Sequence, residues 1–307
     1  MTSYEQFTME EVLATFDEHL RRVRGVCPGT RRNYAKYVGE FLMAVFPDGA
    51  LEFTEVRAPE VAAFIGGLSD RYQLRTVEHA ATALRVFFRF LRAQGWCDDR
   101  LADAVPMVPH RPSGLVRHLD PRVLEQLIAS LQTTSARDLR DRAIILTIAR
   151  VGLRPGEVAQ LRLEDIDWRN AAIRVRARKT GHGARLPLTS EVGAAMADYL
   201  QHGRPEVDAR EVFVLHWLRV GAPISTSIVG RAVQRALDNA GIDAPTRGGN
   251  LLRHSLATEL LAGGASLPEI ADLLGHACLA TTRIYAAVDI RRLREVPLPW
   301  PQAGAES

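Results

Sequence analysis

Near the end of this 307-residue chain stand an arginine, two histidines and a tyrosine that chemistry can use: Arg253, His254, His276 and Tyr285, with Asn250 shortly before them. A phosphodiester under attack gathers negative charge on its non-bridging oxygens, and a guanidinium offers a planar fork of donors that matches them. A tyrosine supplies an oxygen nucleophile that can be joined covalently to phosphorus. Its free pKa is about 10, so ionising it at neutral pH costs on the order of 4 kcal/mol unless nearby cations assist. Each side chain has a plainer explanation when taken singly: a core tyrosine with a satisfied hydroxyl, a solvated arginine, a histidine bonded to backbone. The weight lies in the whole run, NLLRHSLATELLAGGASLPEIADLLGHACLATTRIY.

Packed helices must position that run. Leu252, Leu256 and Leu260 recur every fourth residue, which predicts a helix that buries the leucines and presents Asn250 and Arg253 on an adjacent face. A second helix opens at Leu267 with Ser266 as N-cap and Pro268 in its first turn, and Gly275 stops it, so His276 falls just past its end. Tyr285 belongs to TTRIYAAV, where Thr281 can cap and Ile284 and Val288 can face the core.

Two earlier stretches add candidates. In GLRPGEVAQL, Gly152 ends a helix spanning 137–149, Arg154 sits in the break, Pro155 opens a new helix, and Glu157 lies in its first turn. That would hold Arg154 at a helix start, although a local pair with Glu157 is the alternative. Further on, Ile173, Val175 and Ala177 alternate with Arg174, Arg176 and Arg178, a strand with one apolar side and a row of arginines. KTGHGA turns the chain, and Arg185, Leu186 and Leu188 return, which puts Lys179 near the tip of a small hairpin. Of the 39 basic residues only Lys36 and Lys179 are lysines. Lysine can be tuned to give up a proton where arginine cannot. Spacing alone leaves Lys179 a solvated surface charge.

Taken together, the Arg-His pair after Asn250, then Leu-Gly-His, then Tyr285 nine residues later, resemble the C-terminal signature of the tyrosine recombinases, the phage integrase family. GLRPGEVAQL is similar to that family's first arginine motif. The resemblance implies a mainly α fold with a small β-hairpin or sheet: a helical core-DNA-binding domain at 1–105, a linker at 106–116, a mixed α/β catalytic domain at 117–288 and a tail at 289–307 that docks on a neighbouring protomer. Residue by residue, it implies that Arg154 and Arg253 clamp the scissile phosphate, Lys179 protonates the departing 5′ oxygen, His276 bonds the phosphate and Tyr285 attacks, with Glu157 and His254 in support. The family cuts one strand to a 3′-phosphotyrosyl link and needs neither metal nor nucleotide cofactor. The expected partners are double-stranded DNA with inverted-repeat half-sites and further copies of the chain, two per site and four in the synapse, as in compact Xer-like or Cre-like members. Asn250 departs from the pattern, which usually has histidine there; asparagine can donate to phosphate but cannot shuttle a proton. A type IB topoisomerase-like activity and a catalytically silent or partner-dependent DNA-binding protein are the alternatives.

The remainder of the chain fits such a frame. Helices are predicted over 8–24, 28–46, 58–68 and 74–94, the last burying Ala80, Leu84, Phe87, Phe88 and Leu91. Arg31, Arg32 and Lys36 on the second helix, and Arg75, Arg85 and Arg89 on the fourth, could meet phosphates together with Arg174, Arg176 and Arg178, or simply solvate exposed faces. Pro106, Pro109 and Pro112 forbid a continuing helix and mark a boundary. Beyond it, helices are predicted over 120–131, 190–201 and 225–240, with 213–220 as core. Net charge is +3; residues 1–110 carry 13 basic and 15 acidic side chains, 111–307 carry 26 and 21. The excess sits in the second part, a weak pointer to nucleic acid. No apolar run approaches the roughly 18 residues a membrane span needs, and the N-terminus has no export pattern, so a cytoplasmic protein is expected. Cys27, Cys97 and Cys278 are scattered, which argues against a disulfide framework or a zinc site.

Overall fold

The computed structural model describes residues 7–97, 100–109, 116–176 and 183–275, together with Thr282 and Tyr285. It divides into two compact units, Met1–Pro112 and Ser113–Ser307.

The first unit is helical. Thr8 caps α1 (Met9–Arg22): its hydroxyl accepts from the Glu11 amide at 3.3 Å while the Glu11 carboxylate accepts from the Thr8 amide at 2.9 Å. Proline in the first turn starts α2 (Pro28–Val45) and α3 (Ala58–Leu68) at no cost in hydrogen bonds. The longest, α4 (Leu74–Ala93), buries Ala80, Leu84, Phe87, Phe88 and Leu91 as its spacing predicts. Phe16 of α1 meets Phe87 edge-on at 5.2 Å between centroids, and Phe41 of α2 meets Phe88 likewise at 5.5 Å. A short α5 (Leu101–Ala104), not foreseen from sequence, follows.

The second unit combines helices with a small antiparallel sheet. Asp120 caps α6 (Pro121–Ala129) and Ser135 caps α7 (Ala136–Leu146). The latter widens into a π-helical turn over Thr147–Val151 before Gly152 stops it in a left-handed conformation. Arg150 of that turn binds Glu125 of α6 at 2.6 Å and Glu191 of α9 (Ser190–Asp198) at 2.8 Å, fixing the segment that leads to Arg154. A five-residue α8 (Pro155–Ala159) precedes the sheet. Strands β1 (Ile166–Asp167), β2 (Ala172–Val175) and β3 (Ala184–Pro187) lie in that order, with Ile173 opposite both Ile166 and Leu186. Ile173 is buried and Arg174 exposed, so the expected alternation holds along the described part of β2. β1 adds a third strand to the predicted hairpin. Then come α10 (Thr226–Asn239), α11 (Gly249–Ala262) and α12 (Leu267–Leu274).

Among buried polar groups, Asp141 of α7 binds the neighbouring Arg140 at 2.9 Å and also Arg235 of α10, while Arg140 donates to the Val214 carbonyl at 3.2 Å. This network cross-links α7, α10 and the segment ahead of α10. One prediction is corrected here. Only Val212, Phe213 and Val214 are core, whereas Trp217, Leu218, Arg219 and Val220 are exposed, because the chain reverses tightly there with Leu218 at a φ of 61°. Among the described residues no helix is long and apolar enough to cross a membrane.

Candidate active site

Two arginines converge on the end of one helix. Gly152 is left-handed (φ 75°) and frees the chain to turn out of α7, which puts Arg154 at the N-cap of α8 in extended backbone. There the Glu157 carboxylate accepts from the Arg154 amide and from its Nη1, both at 2.8 Å. The local pair weighed as an alternative is thus present. It occupies one side of the fork, and Arg154 Nη2 donates to the Gly275 carbonyl at 2.8 Å. Arg253, on α11, is only 4 % exposed; it donates to the Gly152 carbonyl through Nη1 and to the Leu274 carbonyl through Nη2 at 2.5 Å. The acceptors Leu274 and Gly275 are consecutive, at the C-terminus of α12, where carbonyls lack helical partners and carry the negative end of the helix dipole.

A guanidinium has five donors, so these bonds leave others for a ligand. Burial, and then the neighbouring charge of Arg154, bring the Arg253 pKa down to about 10, still well above neutrality. The site therefore holds two cations close together with one carboxylate, Glu157, to offset them. Such an arrangement suits a phosphate.

Tyr285 lies within reach of the charges of both arginines. It is fully buried against Ala257, Ile270 and Leu274, and its hydroxyl lies 2.8 Å from His254 Nδ1. Burial pushes its pKa up, and the charges of Arg253 and Arg154 pull it partly back. His254 is half-buried, and burial, followed by the adjacent Arg253, pushes its pKa down. Asn250 is exposed in the first turn of α11, one turn before Arg253. Of the pair expected on the face adjacent to the leucines, Asn250 is exposed and Arg253 is buried, because α11 is covered on two sides, with Leu251, Leu252, Ser255 and Thr258 all buried.

His276, Lys179 and Arg178 lie outside the described residues, as does the tail at 289–307. His276 directly follows the carbonyl that Arg154 holds. The sequence did not reveal the carbonyl anchors of the two arginines or the contact between His254 and Tyr285; the two helix-stopping glycines, Gly152 and Gly275, were the available signal for the first.

The other arginine candidates divide. Arg32, Arg75, Arg89 and Arg174 are exposed. Lys36 is exposed too, 5.2 Å above the Tyr72 ring and 3.8 Å from Glu40. Arg31 is held by Asp17 at 2.9 Å and largely covered, Arg85 donates to the Pro106 carbonyl at 2.8 Å, and Arg176 binds Asp165 at 2.8 Å and Glu164 at 3.2 Å. These bonds help brace the fold, although Arg176 remains exposed and Arg31 and Arg85 are only part-buried.

Helical units carrying two clustered arginines and a tyrosine are the architecture that the sequence signature implied. The profile of the Phage integrase family matches residues 117–292, and that of the phage integrase N-terminal SAM-like domain matches 13–95. The chain belongs to the phage integrase family. It is 39% identical over 295 residues to y4rA of Sinorhizobium fredii, which carries an integrase/recombinase assignment, covering 95% of this chain and 71% of that protein. Tyrosine recombinase XerD of Mycobacterium tuberculosis is 30% identical over 302 residues, covering 94% and 96%. Among solved structures, XerH site-specific recombinase bound to a palindromic difH substrate superposes with a TM-score of 0.70 at 21% identity, over 92% of this chain and 83% of that one. A lambda integrase (75–356) dimer bound to a COC′ core site gives 0.67 at 19% identity, over 97% and 100%. The fold class and the family expected from the sequence are both met.

Proposed function

We propose that this chain is a site-specific DNA recombinase that cuts and rejoins DNA strands through a 3′-phosphotyrosyl intermediate. The observation that carries the reading is the pair of guanidiniums fixed at the end of α12 with the Tyr285 hydroxyl within reach of their charge. Arg154 and Arg253 bind the two non-bridging oxygens of the scissile phosphate and stabilise the charge that grows there. Tyr285 attacks phosphorus, the 5′ oxygen leaves with a proton from Lys179, and His276 and Asn250 add hydrogen bonds to the phosphate. Glu157 holds Arg154 in place. The bond energy is kept in the phosphotyrosine, so another 5′ hydroxyl can reverse the step without a nucleotide.

Residues 1–105 and 117–288 form the core-binding and catalytic domains on either side of the 106–116 linker, and 289–307 form the tail. Exposed Arg32, Lys36, Arg75, Arg89 and Arg174, with Arg178, contact the phosphate backbone and fix position rather than sequence. The lambda integrase dimer solved on its core site supports a dimer on each site; inverted-repeat half-sites and a tetrameric synapse complete the proposal, in the cytoplasm. The test uses duplexes enriched for binding from a random pool, nicked near their centres to trap the intermediate. Wild type should give a slow-migrating protein–DNA adduct on a denaturing gel, and Tyr285→Phe should bind equally but give none. Tight binding without adduct from wild type would contradict the proposal.

A further inference from the structure

His254 is not needed for any step above, yet its Nδ1 lies 2.8 Å from the Tyr285 hydroxyl. Two roles fit a histidine there: it could take the tyrosine proton, or it could hold the hydroxyl in place. Magnitudes separate them. An ordinary tyrosine and an ordinary histidine differ by about 3.5 pKa units, so the equilibrium for the proton transfer starts about 3,000-fold unfavourable. Burial widens that gap from both ends, raising the tyrosine and lowering the histidine, and the charges of Arg253 and His118 oppose a cation on His254 further.

The holding role has direct geometric support. His254 follows Arg253 on α11, so one helix places the phosphate-binding guanidinium and the acceptor for the nucleophile. Tyr285 cannot be brought to that acceptor without also being brought under the field of the arginines. We propose that His254 is a positioning residue for the nucleophile: neutral, protonated on Nε2, it accepts the Tyr285 hydroxyl at Nδ1 and keeps that oxygen, still carrying its proton, at the edge of the arginine pair until DNA is seated. This rests on the recombinase reading of the site and assigns to the histidine orientation, not proton transfer.

The test compares His254→Leu, which removes the acceptor, with His254→Asn, whose Oδ1 can occupy the place of Nδ1 without being a base. On the nicked duplex, His254→Leu should bind DNA as wild type does but form adduct about tenfold more slowly, equivalent to about 1.4 kcal/mol of barrier. His254→Asn should recover most of that rate. A Leu variant as fast as wild type, or an Asn variant no faster than Leu, would overturn the proposal. A second readout needs no DNA: nitration of Tyr285 by tetranitromethane, followed by peptide mass spectrometry, should be slow in wild type and His254→Asn and faster in His254→Leu. Equal nitration in all three would also overturn it. A wild type that binds but forms no adduct sinks the recombinase reading instead, and the nitration series then decides the His254 contact on its own.

Discussion

Arg253 is a buried cation, and a buried cation survives only if its donors are matched. The acceptors it binds are main-chain carbonyls, and the Glu157 carboxylate offsets its charge only from nearby. A guanidinium held in that way keeps its field for an incoming anion and costs little reorganisation when the anion arrives. Asn250 is the residue where this chain departs from its family's usual histidine. Losing one donor from a site of this kind costs roughly 2.7–4 kcal/mol, and asparagine, still a donor, recovers part of it. Asn250→His should therefore leave adduct formation on a nicked duplex unchanged or faster; complete loss of cleavage would show that the asparagine has a role of its own.

The end of α12 is the element on which the site is assembled. Arg154 and Arg253 arrive from α8 and α11 and grip its last carbonyls, and Gly152 supports the second grip with its own carbonyl. A Cβ on Gly152 would sit 2.9 Å from the Leu274 side chain at a φ of +75°, which L-residues rarely adopt. Gly152→Ala should cost roughly 1–3 kcal/mol in urea unfolding and slow cleavage more than it weakens DNA binding. An unchanged unfolding midpoint would contradict that. The helices themselves were legible because their periods, caps and stops are local: the predicted start at residue 28, the Ser266 cap and the Gly275 stop mark ends that the structure reproduces. The burial of Arg253 was not. It depends on α11 being enclosed by chain far away in sequence, and a leucine every fourth residue indicates one covered face only; Leu256 and Leu260 are in fact half-exposed while Ser255 and Thr258 are buried. Strand β1 has two residues, too few to show a period. Trp217, Leu218 and Val220 read as core from their side chains and protrude because of a turn that no local pattern announced.

At the scale of the molecule, two half-buried histidines tie stability to pH. Burial lowers the pKa of His254 and of His216, whose ring stacks on Tyr199. Both hold a proton less tightly in the fold than in the unfolded chain, where an imidazole titrates at about pH 6.5, so just below that value the unfolded state binds more protons. Their contribution is present above pH 6.5 and is lost as pH falls through the lowered folded values. The urea midpoint should fall between pH 7 and 5, and the double variant His216→Asn with His254→Asn should flatten that dependence; an equal slope in the variant would contradict the assignment. The central claim, that this fold exists to join Tyr285 to a DNA phosphate, is reached most directly by mapping the attachment. The trapped adduct is digested with protease and nuclease, and the peptide carrying the nucleotide is sequenced by mass spectrometry. The expected result is a phosphodiester on Tyr285; a nucleotide on Tyr34, Tyr72 or any other residue would contradict the proposed role of Tyr285.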